Sequence, residues 1–190
     1  CSINQMELSE NKGFHLQQLQ GSFIMTEKTI DLHNANIMTC NTYLDTDFSM
    51  HFKKFSDFTD FNNKVHLHMR LNESVVDFSD IAYFSPHIKA LNDKFFIDGL
   101  VQGTVSNLRT RHFNMEFGSR SSLSGNFVIT GLPDIKRTFF LLEDINLATN
   151  KQDIESLSKP PFDVVHHIKL PDNFSKLGSV RFKGGYTGFL

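Results

Sequence analysis

Leu19-Gln20-Gly21-Ser22-Phe23 sets two apolar residues around a polar centre that holds a glycine, and the chain writes the same phrase three more times. The other copies are Val101-Gln102-Gly103-Thr104-Val105, Leu123-Ser124-Gly125-Asn126-Phe127 and Phe182-Lys183-Gly184-Gly185-Tyr186. Alternate residues of a strand share a side, so both apolar residues of each phrase fall on one face. A glycine inside a strand marks a bend or a close backbone approach. The phrase therefore reads as a strand that curves, with Gly21, Gly103, Gly125 and Gly184 as the curvature positions. Around it the alternation continues, in Phe113, Met115 and Phe117 and again in Phe127 and Ile129. One apolar face repeated along a sheet is either a core or a surface for something greasy.

Composition narrows the choice. At 190 residues, 39% hydrophobic and 21% charged, the sequence is globular in character and of ordinary length for one β-rich unit. A formal charge of -2 with scattered charges excludes an electrostatic case for nucleic acid. The aromatic residues are 20 Phe against 3 Tyr and no Trp, so the chain supplies apolar area without polar handles. Two cysteines, Cys1 and Cys40, make no disulfide framework. No run approaches the length of a spanning helix. The sequence opens at Cys1 and stops within a new strand phrase, Tyr186-Thr187-Gly188-Phe189-Leu190, which reads as an internal segment of a longer protein.

Outward from the glycine phrases, strand follows strand. Turn residues at short intervals separate Phe14 to Leu16, Leu19 to Met25, Thr29 to Leu32, Ile37 to Thr39 and Thr42 to Phe52, a spacing that favours antiparallel neighbours. Ser56 to Phe61 suits a helical turn. Val65, Leu67, Met69 and Leu71 then alternate with His66, His68, Arg70 and Asn72, the clearest strand in the chain. A helical stripe interrupts near 79–91, broken by Pro86. Strands resume from Phe95 to Leu147, and shorter helical turns are expected at Gln152 to Leu157 and Pro171 to Leu177. The expectation is one β-rich unit over 1–190, a curved antiparallel sheet with a few short helices.

Catalytic and metal signatures are missing. His166-His167 with Asp163 has ligand-type residues, but neighbours on a strand point to opposite faces. His66 and His68 share a polar face without an identifiable third ligand. Gly118-Ser119-Arg120-Ser121-Ser122 lacks the glycine framing of a nucleophile elbow and reads as a hairpin turn. No phosphate-binding loop is present. The sequence thus points to a non-enzymatic chain with neither cofactor nor metal. By alternation, the candidate inner-face residues are Val65, Leu67, Met69, Phe113, Met115, Phe117, Phe127 and Ile129.

An ordered string of phrases resembles the repeat region of bacterial TamB proteins, the translocation and assembly module subunits of the AsmA-like group, most of all the Bacteroidetes-type versions. It runs from Met69-Arg70-Leu71-Asn72-Glu73-Ser74-Val75-Val76-Asp77 into Phe78-Ser79-Asp80-Ile81-Ala82-Tyr83-Phe84-Ser85-Pro86. Asp98-Gly99-Leu100-Val101-Gln102-Gly103-Thr104-Val105, Leu123-Ser124-Gly125 and Gly131-Leu132-Pro133-Asp134 follow, with the Thr138 to Leu142 strand. Leu177 to Gly184 and Thr187-Gly188-Phe189 fit a next unit. The resemblance implies a periplasmic protein anchored in the inner membrane by a helix outside this sequence. It implies strands folded into an open, greasy-lined, taco-like groove. It also implies an outer-membrane barrel partner of the TamA type, and roles in outer-membrane biogenesis, protein secretion and lipid transport between membranes. On this reading the partners are phospholipid acyl chains or hydrophobic client strands. The rival reading closes the inner face as a core, and leaves a structural module that engages client strands at its edges by β-augmentation.

Overall fold

A computed structural model describes residues 1–190 except 12, 83–92, 160–165, 177 and 190. The ten strands are β1 (Ser2–Ser9), β2 (His15–Met25), β3 (Thr29–Thr39), β4 (Tyr43–His51), β5 (His66–Asp77), β6 (Lys94–Thr104), β7 (Asn107–Phe117), β8 (Ser121–Thr130), β9 (Phe139–Thr149) and β10 (Val180–Phe189). They form one antiparallel sheet in chain order, and β1 and β10 are its two free edges. Among the described residues three short helices sit in the connections: α1 (Phe61–Lys64), α2 (Phe78–Ala82) and α3 (Lys151–Ser156). Single 3₁₀ turns occupy Phe55–Asp60, Ile135–Arg137 and Asp172–Lys176. The fold is mainly β, as the alternation requires, and the sheet is curved and does not close on itself. Of the helical interruption expected near 79–91, α2 is described and the remainder lies outside the described residues.

Strand β3 shows where local pattern reading slips. The polar run between Leu32 and Ile37 suggests two strands, yet the chain passes through as one, with a bulge at Asn34 (φ 48°). Each odd-numbered strand from β3 onward repeats the device, at Glu73 (39°), His112 (50°) and Asp144 (54°). A bulge adds one residue, so the apolar face resumes three positions on instead of two. Leu32 is followed by Ala35, Leu71 by Ser74, Thr110 by Phe113 and Leu142 by Ile145 on the same side. The displaced amides are caught by the neighbouring strand, since Asn34 donates to Asp47 Oδ1 at 2.9 Å and His112 to Asn126 Oδ1 at 3.2 Å.

Glycine makes these bulges geometrically possible. Gly99 (φ 136°) lies against the His112 bulge, where an added Cβ would stand 2.9 Å from the His112 carbonyl and 2.8 Å from Phe113 Cα. Gly125 (φ 154°) meets the Asp144 bulge in the same way, 2.9 Å from the Glu143 carbonyl. Bulges bend and twist the sheet, and together they draw a crease across its strands. Several deeply buried side chains lie on that line: Ala35 and Ser74 at 0%, Thr46 at 1% and Ile145 at 4% exposure. The crease is the floor of a trough, and the two halves of each strand are its walls.

Candidate functional site

The trough's inner face is continuous because cross-strand register carries it from strand to strand. One row runs Met50, Leu67, Gly103, Leu108, Ile129 and Phe140 from β4 to β9. On the other side of the crease, Ile97, Met115, Leu123, Leu147 and Phe182 make a second row from β6 to β10. The opposite face of the same strands carries His66, His68, Arg70, Arg109, Arg111 and Glu116. Among the described residues no second sheet covers the apolar side, since all ten strands belong to the first. The accessible surface is 11987 Å², whereas a compact monomer of this mass exposes roughly 9,300 Å². Among the described Phe residues, the buried ones are Phe52, Phe117 and Phe127.

Seven of the eight predicted inner-face residues come together on this face: Leu67, Met69, Phe113, Met115, Phe117, Phe127 and Ile129. Leu67, Met69, Phe113, Met115 and Ile129 are half-buried and so remain available to a ligand. Phe117 and Phe127 are each 7% exposed, packed by their own neighbours; Phe127 and Phe113 rings meet edge to face at 5.2 Å. Val65 departs from the set. It follows α1 rather than lying in β5, and it is completely buried. Its place in the alternation is right, but the 3₁₀ turn and α1 seal that end, with Phe52, Phe55 and Phe58 forming an aromatic cluster beside it.

The curvature glycines divide similarly. Gly21 and Gly125 stand at register shifts inside strands. Gly184 lies beside the shift between β9 and β10. Gly103 instead packs against the Asn107 carbonyl where the β6–β7 hairpin closes. Gly99, inside the phrase Ile97-Asp98-Gly99-Leu100, holds the crease in β6 and was not among the predicted positions. On β10 the rings of Phe182 and Tyr186 lie along the strand over Gly184 and Gly188. Aromatic cover of glycine in this manner stabilises an edge strand.

A second built feature is polar. Asp153, 3% exposed, accepts hydrogen bonds from the Ser119 and Arg120 amides, both at 2.9 Å, and from the Ser119, Ser121 and Asn150 side chains. Burial pushes its carboxyl pKa up, and those donors push it down by more, so it sits well below the usual carboxylate range. Asn150 caps α3 by accepting the Asp153 amide. The result pins α3 to the β7–β8 turn, the hairpin anticipated at Gly118 to Ser122. At the corresponding turn of β3–β4, Thr39 Oγ1 donates to Asp80 of α2. Both carboxylates are anchors, and Asp153 spends its acceptor capacity on the fold.

Among the described residues no group of three His, Cys, Asp or Glu converges. His66 and His51 face one another across β4 and β5, and His167 Nδ1 lies 3.1 Å from the Ser156 carbonyl. Asp163, its expected companion, is outside the described residues. No described helix is long and apolar enough to cross a membrane. Cys1 and Cys40 are both free thiols. No family model, curated protein or solved structure matches the chain.

Proposed function

We propose that the trough holds acyl chains, and that the chain is a non-enzymatic segment of a TamB-like cell-envelope protein conducting phospholipid between the inner and outer membranes. The observation that carries this reading is the apolar face whose rows run across β4 to β10, with no second sheet upon it among the described residues. Nine inter-strand gaps of about 4.8 Å give a floor of roughly 43 Å, room for an extended acyl chain laid across the strands. Each methylene withdrawn from water contributes about 0.8 kcal/mol, so affinity accumulates without a specific polar contact. Low specificity suits a conduit for mixed lipids. The phrase order from Met69 to Phe189 supports the family assignment, under which the segment works in the periplasm in translocation and assembly of outer-membrane components. The membrane anchor and the barrel partner belong to the longer protein.

Native mass spectrometry after expression in a phospholipid-containing host tests the reading. The unmodified chain is expected to carry phospholipid. Met115→Glu or Leu67→Glu places a carboxylate on a half-buried wall position and should lower that occupancy several-fold while circular dichroism stays β-rich. Phe127→Glu is a poorer probe, because Phe127 is packed and its loss unsettles the fold. Unchanged lipid occupancy in both wall variants sinks the proposal. The unpaired edges β1 and β10 favour a second reading, capture of client strands by β-augmentation. A lipid-free mass together with binding of an extended apolar peptide would select it.

A further inference from the structure

We propose that one rim of the trough selects the lipid's head group: a ledge of lysines along the interior connections takes the phosphate of an anionic phospholipid whose tails lie on the adjoining apolar row. The inference rests on the trough holding acyl chains, and it adds a head-group class to that reading. The ledge consists of the β2–β3 turn, the β4–β5 connection with its 3₁₀ turn and α1, the β6–β7 turn and the β8–β9 connection. Antiparallel strands in chain order bring these four to one end of the sheet. Backbone hydrogen bonds join them: the Phe52 amide donates to the Lys28 carbonyl at 2.9 Å, Ser106 to Asn62 at 3.0 Å and Gly131 to Ser106 at 2.9 Å. The ledge is therefore continuous.

Its charges are unevenly matched. Asp57 is buried, and its Oδ2 accepts the Lys53 and Lys54 amides at 2.9 and 3.1 Å. Asp60 pairs with Lys64 at 3.3 Å, and Asp134 with Arg137 at 3.6 Å. Lys28, Lys53, Lys54 and Lys136 are exposed and enter no ion pair among the described residues. Glu27 is the ledge carboxylate left to oppose them. The formal charge of the whole chain, -2, conceals this local excess of cations. Ammonium groups without a partner make charge-assisted hydrogen bonds to phosphate oxygens.

The row beside the ledge makes that phosphate a lipid's. Met50, Leu67, Leu108, Ile129 and Phe140 each stand two residues inside it, counted from Phe52, Val65, Ser106, Gly131 and Thr138. Two residues of strand span about 7 Å, the scale that separates a phospholipid's phosphate from the start of its acyl chains. Phe55 adds apolar area at the same place, 53% exposed with its ring centroid 5.1 Å from that of Phe52. A free anion meets the lysines, whereas a lipid meets lysines and row together. Surplus cations favour a head group of net negative charge over a zwitterion, whose own ammonium they repel.

Native mass spectrometry of the delipidated 190-residue chain, loaded from vesicles of equal parts phosphatidylglycerol and phosphatidylcholine with identical tails, tests the proposal. Phosphatidylglycerol is expected to be enriched about three- to fivefold, the upper range for exposed ion pairs, and added salt should erode the enrichment. Lys53→Gln with Lys54→Gln, or Lys28→Gln with Lys136→Gln, should cut it about twofold or more while total lipid stays. Lys94→Gln, at the opposite rim, should leave the ratio unchanged. Met115→Glu, on the wall, should lower total lipid at an unchanged ratio. Inorganic phosphate should compete no better than chloride of equal ionic strength. Equal loading of the two lipids by the native chain, a ratio that moves as far with Lys94→Gln, or displacement specific to phosphate would overturn the head-group proposal and leave the trough standing. A native chain that takes up no lipid would overturn both.

Discussion

The corner around Asp153 and the wall around Met115 lie a few residues apart on the same strands, yet they answer opposite demands. At the corner, the Ser119 and Arg120 amides and the Ser119 and Ser121 hydroxyls of the β7–β8 turn are all met by one buried carboxylate. Along the wall, apolar side chains stand side by side with one flank still open. The corner keeps α3 off the wall and docked at the rim. An open apolar face persists in this fold because polar anchors hold its helices at the ends of the strands.

The largest effect is expected at the corner. Asp153→Ala would remove the shared acceptor of the Ser119 and Arg120 amides and of the Ser119, Ser121 and Asn150 side chains, leaving the buried Ser121 hydroxyl only Thr149 Oγ1, at a cost of about 3 to 4 kcal/mol. Thermal unfolding should register a drop of roughly 10 °C for a chain of this size. Next comes the crease side of the face. Phe127→Ala should lose about 3 kcal/mol in urea unfolding, since Phe127 is nearly enclosed. Gly125→Ala should cost about 2 kcal/mol, because the new methyl would meet Ile145 Cδ1 at 2.6 Å and the backbone strains at φ 154°. Equal losses for Gly125→Ala and Gly178→Ala, whose site is open, would remove the crease argument.

Acid supplies a further separation of the two regions. The folded Asp153 carboxyl lies below its unfolded value of about 3.9, so its stabilisation is complete above that pH and is lost as pH falls toward the folded value. Unfolding midpoints of the native chain should therefore decline below about pH 4, and Asp153→Ala should flatten that decline. A variant with the native slope would mean other carboxylates dominate. The smallest effect is expected on the wall itself. Met115→Ala should cost no more than about 1 kcal/mol, because only one flank of Met115 is packed. A loss as large as that of Phe127→Ala would show the wall to be a closed core.

Much of this was legible beforehand. Leu67 and Met69, Phe113 to Phe117 and Phe127 with Ile129 were placed on one face by alternation. The run Gln152 to Leu157 announced α3. The failures are equally physical. The polar run at 33–36 reads as a turn because a bulge exposes polar residues much as a turn does. Gly103 and Gly99 look alike in sequence, and only the approach of His112 on the next strand tells which one bears the crease. Asp153 is an unremarkable helix carboxylate until the turn 34 residues away closes around it.

Strand identity and facing are local properties: a period of two, written over ten residues, declares which side chains share a face, whatever lies beyond. Nothing local states whether that face will be covered. The crease arises from bulges that exist only against a partner strand, and openness follows from where α2 and α3 are pinned. Both depend on contacts between residues far apart in the chain, and tertiary structure alone brought those residues together.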